Sequence, residues 1–234
     1  MIRSLWMLTF WGLTMLLVGP WLLLYAYLTR DIRPLYHAAT FLAISGVRLA
    51  GITIRQIGRE NFKPGRNYIF MSNHASNLDP PIEIPSIRER CSVLVKKELF
   101  RVPILGAGMR IARLVPVDRS NREAAIESVH EGVKVLQTGL HMLIYPEGTR
   151  TPNGKLLPFK KGPFHLAIES GVPIIPLTIV GTYEAWPKHR FALRRVPVTI
   201  VYHPAIDPRD FSDRDALMEA VRDSIASALP EDRR

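Results

Sequence analysis

The chain has 234 residues, with 31 Lys and Arg against 21 Asp and Glu, so its formal net charge is +10 at pH 7. This length accommodates one good-sized hydrophobic core with an appendage. The charge suits nucleic acid, an anionic membrane surface or a phosphate-bearing substrate, but no zinc-finger, RNA-binding or helix-turn-helix pattern occurs, so no nucleic acid partner is expected. The lone cysteine, Cys91, excludes an internal disulfide framework and fits a reducing compartment. Its apolar neighbours predict a small buried side chain.

Residues 4–29 carry no charge and are rich in Leu, Trp and Met. As a helix, this segment is long enough to cross a hydrocarbon core of about 30 Å. A secretory signal peptide is the alternative, disfavoured by the length of the apolar region and the lack of a small-x-small cleavage site. Gly19-Pro20 predicts a bend or break in the helix. Two interpretations stay open at this point, a full span and a bent helix embedded in one leaflet.

A second apolar stretch, residues 35–49, is predicted to be helical and to pack on the first helix as an antiparallel hairpin, with a simple single-pass anchor as the alternative. Arg30, Arg33 and Arg48 follow the first apolar segment, whereas Arg3 precedes it. This charge asymmetry weakly favours a body on the cytoplasmic side of the membrane.

The remaining chain alternates strand-like and helix-like segments, which predicts an α/β sheet with both faces covered. Pro116 indicates an edge strand or a bulge, and Ser212 with Asp215 indicates a capping box at the start of the last helix. The predicted strands are 51–57, 67–70, 92–95, 114–117, 141–144, 173–180 and 196–202. The predicted helices are 81–90, 122–138, 163–170 and a last one ending near residue 229.

The most informative stretch is residues 71–81, Met-Ser-Asn-His-Ala-Ser-Asn-Leu-Asp-Pro-Pro, between a strand and a helix. Asp79 is predicted to be the N-cap of that helix, because aspartate is a favoured cap and proline suits the first turn. His74 then lies on a loop at a strand end, with Asp79 facing back toward it. A carboxylate in reach of an imidazole fixes its tautomer and stabilises the imidazolium, as a general base requires. An ordinary surface or capping pair is the alternative.

A second block, Tyr-Pro-Glu-Gly-Thr-Arg at residues 145–150, also follows a strand. Together, the blocks Asn73-His74-x-x-x-x-Asp79 and 146–150 resemble the glycerophospholipid acyltransferase family, closest to 1-acylglycerol-3-phosphate acyltransferases. The resemblance covers residues 54–180. It implies a mixed sheet flanked by helices with an N-terminal membrane-embedded helix pair, and so a division into a membrane-anchoring segment, 1–50, and an α/β acyltransferase domain, 51–234.

The resemblance also implies a reaction. His74 would deprotonate the sn-2 hydroxyl of lysophosphatidic acid and Asp79 would orient His74, so that the oxygen attacks the thioester of acyl-CoA or acyl-carrier protein and phosphatidic acid forms. No acyl-enzyme and no cofactor beyond the acyl donor are expected. The predicted substrate-binding residues include Asn73, with Glu147 and Thr149 shaping the acceptor site and Gly148 letting the backbone approach closely.

Several cations follow predicted strands and are expected to share one cleft, because ligands of α/β sheets collect at the carboxyl ends of strands. Arg150 is the first choice for the acceptor phosphate, since a guanidinium binds a phosphate bidentately. Lys96, Lys97 and Arg119 are second choices, although a single Lys or Arg is more often a solvated surface charge. Pro116 replaces the bulky residue that this family commonly has before Asp-Arg, which leaves the reach of Arg119 open.

Other functions compete with this hypothesis. His74, Asp79 and Glu147 could ligate a metal, but no second histidine stands at ligand spacing, so no metal is predicted. The acceptor could instead be glycerol 3-phosphate, another lysophospholipid or a lyso-aminolipid, and a non-catalytic membrane lipid-binding protein is a further alternative. The expected location is a membrane, with the catalytic domain facing the cytoplasm and with membrane lipids as partners; in a bacterium this is the inner membrane.

Overall fold

A mixed seven-stranded sheet with helices on both faces forms the body of the protein in the computed structural model, which describes residues 1–118 and 121–234. The strands are β1 (Ile54–Ile57), β2 (Ile69–Ser72), β3 (Cys91–Lys96), β4 (Val115–Val117), β5 (His141–Ile144), β6 (Ile174–Val180) and β7 (Val198–Tyr202). The helices are α1 (Ile2–Thr29), α2 (Arg33–Leu49), α3 (Asp79–Ile87), α4 (Leu105–Ile111), α5 (Arg122–Gln137), α6 (Gly162–Ser170), α7 (Thr182–Ala185) and α8 (Arg214–Ser227). The predicted fold class is confirmed.

The strand order is β1-β7-β6-β2-β5-β3-β4, and only the β6–β7 pairing among these neighbours is antiparallel. The five strands from β6 to β4 therefore end at the same edge of the sheet, so the loops that follow them converge there. β4 lies at the edge of the sheet, as Pro116 predicted, because proline cannot donate to a second neighbouring strand.

The two faces of the sheet bury separate sets of side chains, because successive residues of a strand point to opposite faces. Phe70 and Leu143 pack on one face with the residues of α2 and α3. Met71 and Ile144 pack on the other face with α5, α6 and α8. Cys91 is buried in the first of these cores, as predicted.

The helix pair forms the predicted antiparallel hairpin. Indole Nε1 of Trp11 in α1 donates to the carbonyl of Leu42 in α2 at 3.1 Å. A Cβ on Gly46 would lie 2.1 Å from this same nitrogen, so the close crossing of the two helices requires glycine there. By length and composition α1 is able to cross a bilayer, and it exposes large apolar side chains such as Trp21 and Leu28.

The start of α1 is also packed on the body. The Ser4 hydroxyl donates to the carbonyl of Phe191 at 2.7 Å and accepts from the N–H of Leu193 at 2.8 Å. Met7, one turn later, is 1% exposed. From α2, the Tyr36 hydroxyl donates to the carbonyl of Glu89 at 3.0 Å. The hairpin is thus attached to the sheet domain at both of its helices.

Two local features differ from the predictions. α1 is not broken at Pro20, because proline removes only one backbone hydrogen bond and the packing of α1 on α2 supports the residues on both sides. A bend at Pro20 stays a prediction. The cap of α8 is Asp213 and not Ser212. The extended backbone at Asp213 brings its carboxylate within reach of the N–H groups of Asp215 and Ala216.

Candidate active site

The loop between β2 and α3 holds His74 against Asp79. Oδ2 of Asp79 lies 2.7 Å from Nδ1 of His74 and accepts from the N–H groups of Ala75 and Ser76, each at 2.8 Å. The predicted capping role of Asp79 is therefore wrong. The residue before the helix is Leu78, and Asp79 opens the helix with its carboxylate turned back to the loop.

This geometry assigns the roles of the two imidazole nitrogens. An ionised carboxylate only accepts hydrogen bonds, so Nδ1 of His74 carries a hydrogen and donates it to Asp79. In the neutral ring Nε2 then has a free lone pair, as a general base needs. Asp79 is fully buried, whereas the His74 side chain is 13% exposed. The pair can therefore take a proton from a group that approaches from the open side.

Glu147 supports the same loop from the end of β5. Its Oε1 accepts from the N–H of His74 at 2.6 Å, and its Oε2 accepts from the N–H of Leu157 at 2.9 Å. Burial raises the pKa of Glu147 to about 7, although these two hydrogen bonds oppose the shift. Both carboxylate oxygens accept from backbone N–H groups, so Glu147 supports the His74 loop, and its part in shaping the acceptor site stays a prediction.

The rest of the 146–150 block is more open. Gly148 has φ +71°, a conformation that favours glycine, and a Cβ there would lie 3.3 Å from Cγ of Lys160. Thr149 is exposed and Arg150 is half-buried. Within residues 1–118 and 121–234, no hydrogen bond or ion pair engages the Arg150 guanidinium. Its donors are therefore available to a ligand, and its predicted phosphate role stays a prediction.

The side-chain amide of Asn73 is hydrogen-bonded to the backbone of β6. Its amide donates to the carbonyl of Ile179 at 2.9 Å and accepts from the N–H of Ile179 at 2.8 Å. The side chain is 7% exposed. These contacts hold the start of the His74 loop against the neighbouring strand, whereas contact of Asn73 with a substrate stays a prediction.

Two of the predicted second-choice cations lie at the end of β3, where Lys96 is the last residue of the strand and Lys97 follows it. Lys97 forms an ion pair with Asp118, which follows β4, and its side chain is 41% exposed. Lys96 is 60% exposed and lies 3.6 Å from Glu98. Arg119 lies outside the described residues.

Two residues that were not predicted, Tyr145 and Glu83, support His74 directly or through one another. The Tyr145 ring stacks on the imidazole, with centroids 4.0 Å apart and planes 18° apart. Its hydroxyl donates to Oε2 of Glu83 at 2.6 Å. Glu83 is fully buried in α3, four residues after Asp79. That spacing puts both carboxyl groups on one face of the helix, and it was the signal available in the sequence.

An apolar cavity of about 480 Å³ lies between the helix pair and the body. α1 and α2 form one side, and α3, α4 and β3 form the other. Pro80 and Pro81 line it directly after Asp79, so the cavity reaches the helix turn that carries the His74 partner. Its volume and apolar wall suit a hydrophobic ligand.

The described ranges 1–118 and 121–234 contain no group of three or more His, Cys, Asp or Glu side chains placed to hold a metal ion. In particular, Asp79 and Glu147 direct their bonded oxygens to His74 and to backbone N–H groups. These residues fit a hydrogen-bonded base better than a metal centre.

A buried His–Asp pair at the carboxyl edge of a mixed sheet, next to an apolar cavity, defines a base-dependent enzyme for a substrate with an apolar chain. Residues 53–180 match the family model described as Acyltransferase. The chain belongs to this acyltransferase family, as the two sequence blocks predicted.

Known members resemble the chain over most of its length. A 1-acyl-sn-glycerol-3-phosphate acyltransferase of Limnanthes alba is 38% identical over 224 residues, which cover 94% of this chain and 76% of the relative. The enzyme of the same name from Cocos nucifera is 33% identical, covering 94% and 70%. Among solved structures, the LPA acyltransferase PlsC of Thermotoga maritima superposes with a TM-score of 0.85 at 25% identity, covering 97% of this chain and 94% of that one.

Proposed function

We propose that the protein transfers a fatty acyl chain from an acyl thioester to the sn-2 hydroxyl of lysophosphatidic acid, forming phosphatidic acid. The observation that carries this proposal is the 2.7 Å contact between Nδ1 of His74 and Asp79 beside the apolar cavity. The choice of acceptor is supported by the names of the relatives from Limnanthes alba and Cocos nucifera.

In the proposed mechanism, Nε2 of His74 takes the proton of the acceptor hydroxyl as its oxygen attacks the thioester carbonyl. The tetrahedral intermediate collapses, the C–S bond breaks, and the thiolate leaves with the proton carried by His74. Asp79 keeps the ring oriented and stabilises the imidazolium between these two steps. The thioester is already activated, so the chain needs no acyl-enzyme and no cofactor.

Arg150 is the proposed ligand of the acceptor phosphate. A half-buried guanidinium without a protein partner in the described ranges offers a planar set of donors to an anion. Lys97 follows the neighbouring strand and adds positive charge at the same edge, and Arg119 is proposed to contribute from its position beside Asp118.

The acyl chains are proposed to enter from the membrane. The exposed apolar surface of α1 and the packing of both hairpin helices on the body favour a hairpin embedded in one leaflet, with the body at the interface. The arginines after α1 favour the cytoplasmic face. Acyl-CoA or acyl-carrier protein is the proposed donor, because both are available on that side.

The test is release of free thiol from acyl-CoA by purified protein in detergent, with lysophosphatidic acid or glycerol 3-phosphate as acceptor. We expect release that requires lysophosphatidic acid and a fall of about 10³-fold in the His74→Ala variant, as loss of a general base predicts. Release with glycerol 3-phosphate alone would move the activity to another acceptor. The proposal would be overturned if neither acceptor supported thiol release, with acyl-CoA or with acyl-carrier protein as donor. A cooperative unfolding transition like that of wild type would show that the His74→Ala variant is folded.

A further inference from the structure

The buried carboxyl group of Glu83 connects two structures that contact His74. Its Oε1 is hydrogen-bonded to the hydroxyl of Ser72, the last residue of β2. Its Oε2 accepts from the hydroxyl of Tyr145, whose ring stacks on the imidazole. Glu83 therefore reaches the loop that carries His74 from one side and the ring that packs on His74 from the other.

The number of hydrogens in this cluster indicates which form of Glu83 is present. The Ser72 hydroxyl carries one hydrogen and lies within bonding distance of both Glu83 and the carbonyl of Asn73, the latter at 3.2 Å. If Glu83 is protonated, it donates to Ser72, and Ser72 donates to the Asn73 carbonyl. Tyr145 donates to the other oxygen of Glu83. Each hydrogen is then used once and each contact is satisfied.

We propose that Glu83 is a positioning residue that acts as a neutral carboxylic acid, holding the Ser72–Asn73 backbone and the Tyr145 ring in place around His74. The proposal rests on the proposed function, in which His74 is the base. It adds a residue that does not touch the substrate but sets the orientation of the residue that does.

The surroundings of Glu83 favour its neutral form. It is fully buried, and Asp79, which is also fully buried, lies one turn earlier on the same helix. A second carboxylate there would repel the first, so burial and Asp79 together raise the pKa of Glu83 to about 8. The titratable groups that face it from the surrounding elements are Asp79, Tyr145, Cys91 and Tyr202.

Tyr145, Cys91 and Tyr202 keep their protons over the pH range in which Glu83 titrates. Burial raises the pKa of Tyr145 and of Cys91 well above their ordinary values, and it raises the pKa of Tyr202 to about 12. Above about pH 8, Glu83 loses the hydrogen that it donates to Ser72 and gains a charge beside Asp79. The proposal therefore predicts that turnover declines above this pH as the arrangement around His74 is lost.

The experiment compares Glu83→Gln and Glu83→Ala in the acyl-transfer assay. Glutamine copies the neutral acid, because its N–H can donate to Ser72 and its oxygen can accept from Tyr145. We expect Glu83→Gln to keep kcat within about threefold at pH 7 and to retain it at pH 9, where wild-type kcat falls about tenfold. We expect Glu83→Ala to lose about 30-fold in kcat with KM changed by less than about threefold.

Ser86→Ala is the matched control, since Ser86 is buried one turn further along α3 and, among the described contacts, its hydroxyl bonds only the Ile82 carbonyl of its own helix. It should leave both kcat and the pH profile unchanged. If Glu83→Ala does not fold, Tyr145→Phe removes one contact of Glu83 and should lower kcat about threefold. Equal losses in Glu83→Gln and Glu83→Ala would overturn the proposal, as would an effect on KM alone.

A second measurement separates this proposal from the choice of substrate. NMR signals of the His74 ring nitrogens report its surroundings without any acceptor. We expect the Glu83→Gln spectrum to match wild type at pH 7 and to lack the wild-type change near pH 8. A change near pH 8 that persists in Glu83→Gln would overturn the role of Glu83. A wild-type enzyme that shows the change but does not acylate lysophosphatidic acid would overturn only the proposed function.

Discussion

Two groups of polar residues lie at the same edge of the sheet but differ in how firmly the protein holds them. His74, Asp79 and Glu147, after β2 and β5, are joined to one another and to the backbone by contacts of 2.6–2.9 Å. Lys96 and Lys97, at the end of β3, are 60% and 41% exposed.

The difference matches the two proposed roles of these groups, proton transfer by the first and attraction of an anion by the second. Proton transfer depends on a base held in one orientation, and the fold supplies that orientation before any substrate arrives. Attraction of an anion tolerates mobile side chains, because a charge acts over several ångströms. The comparison therefore predicts that changes in the buried group lower kcat, whereas loss of a cation that binds the acceptor raises KM.

The largest effect is expected from Asp79→Asn. Three donors converge on Oδ2 of Asp79, and an asparagine that turns its N–H₂ to His74 would favour the wrong imidazole tautomer. We expect kcat to fall about 10³-fold with little change in KM, measured by thiol release at saturating acceptor. A loss below about tenfold would mean that other contacts fix the His74 ring and would weaken the contrast between the two sides.

A smaller effect, on KM, is expected from Arg150→Ala. Loss of a charge-assisted contact with a phosphate is worth about 2 kcal/mol, or roughly a 30-fold rise in KM for lysophosphatidic acid. Arg150→Lys should recover only part of this loss, because an ammonium cannot bind bidentately. Lys96→Ala is the control and should change KM by less than about twofold, since Lys96 is well exposed. If Arg150→Ala lowered kcat instead, Arg150 would belong with the buried group.

The smallest effect concerns stability rather than activity. Burial raises the pKa of Glu147 from 4.5 to about 7, so the folded state holds this proton more tightly than the unfolded state does. Its stabilising contribution is complete below about pH 4.5 and is lost as the pH rises through about 7. Glu147→Gln removes this dependence, so its free energy of unfolding should decline by about 2 kcal/mol less than wild type between about pH 5 and pH 8.

Chemical unfolding in detergent at the two pH values measures this difference. Glu98→Gln is the matched control, because Glu98 is exposed and its substitution should leave the wild-type pH dependence intact. Glu83 contributes to the wild-type decline with the same sign, which is why the comparison is made between variants. An unchanged pH dependence in Glu147→Gln would mean that Glu147 is as well solvated as a surface carboxylate.

Much of the fold was predictable because its signals are local. Apolar runs marked the strands, Gly139 and Gly171 marked helix ends, and Pro116 marked the edge strand. The His74–Asp79 contact was predictable for the same reason, since the two residues are five positions apart in one loop and helix start.

The remainder depends on contacts between distant parts of the chain. Glu83 and Tyr145 are 62 residues apart and meet only because α3 packs over β5. For Glu147 the motif indicated a polar residue near the site but not its direction, which the N–H groups of His74 and Leu157 determine. At the last helix, two adjacent residues were both plausible caps, and the backbone conformation at Asp213 decided between them.

The hydrogen bonds of Ser4 to the 191–193 segment bear on whether the N-terminal helices can be removed to obtain a soluble protein. They attach the first turn of α1 to the body, and later turns of α1 form a wall of the apolar cavity. Cutting the chain at the predicted boundary after residue 50 would remove this wall together with the membrane contact. The sheet domain alone would lose this compartment and the α2 side chains that cover one face of the sheet, so truncation to obtain a soluble protein is expected to abolish turnover.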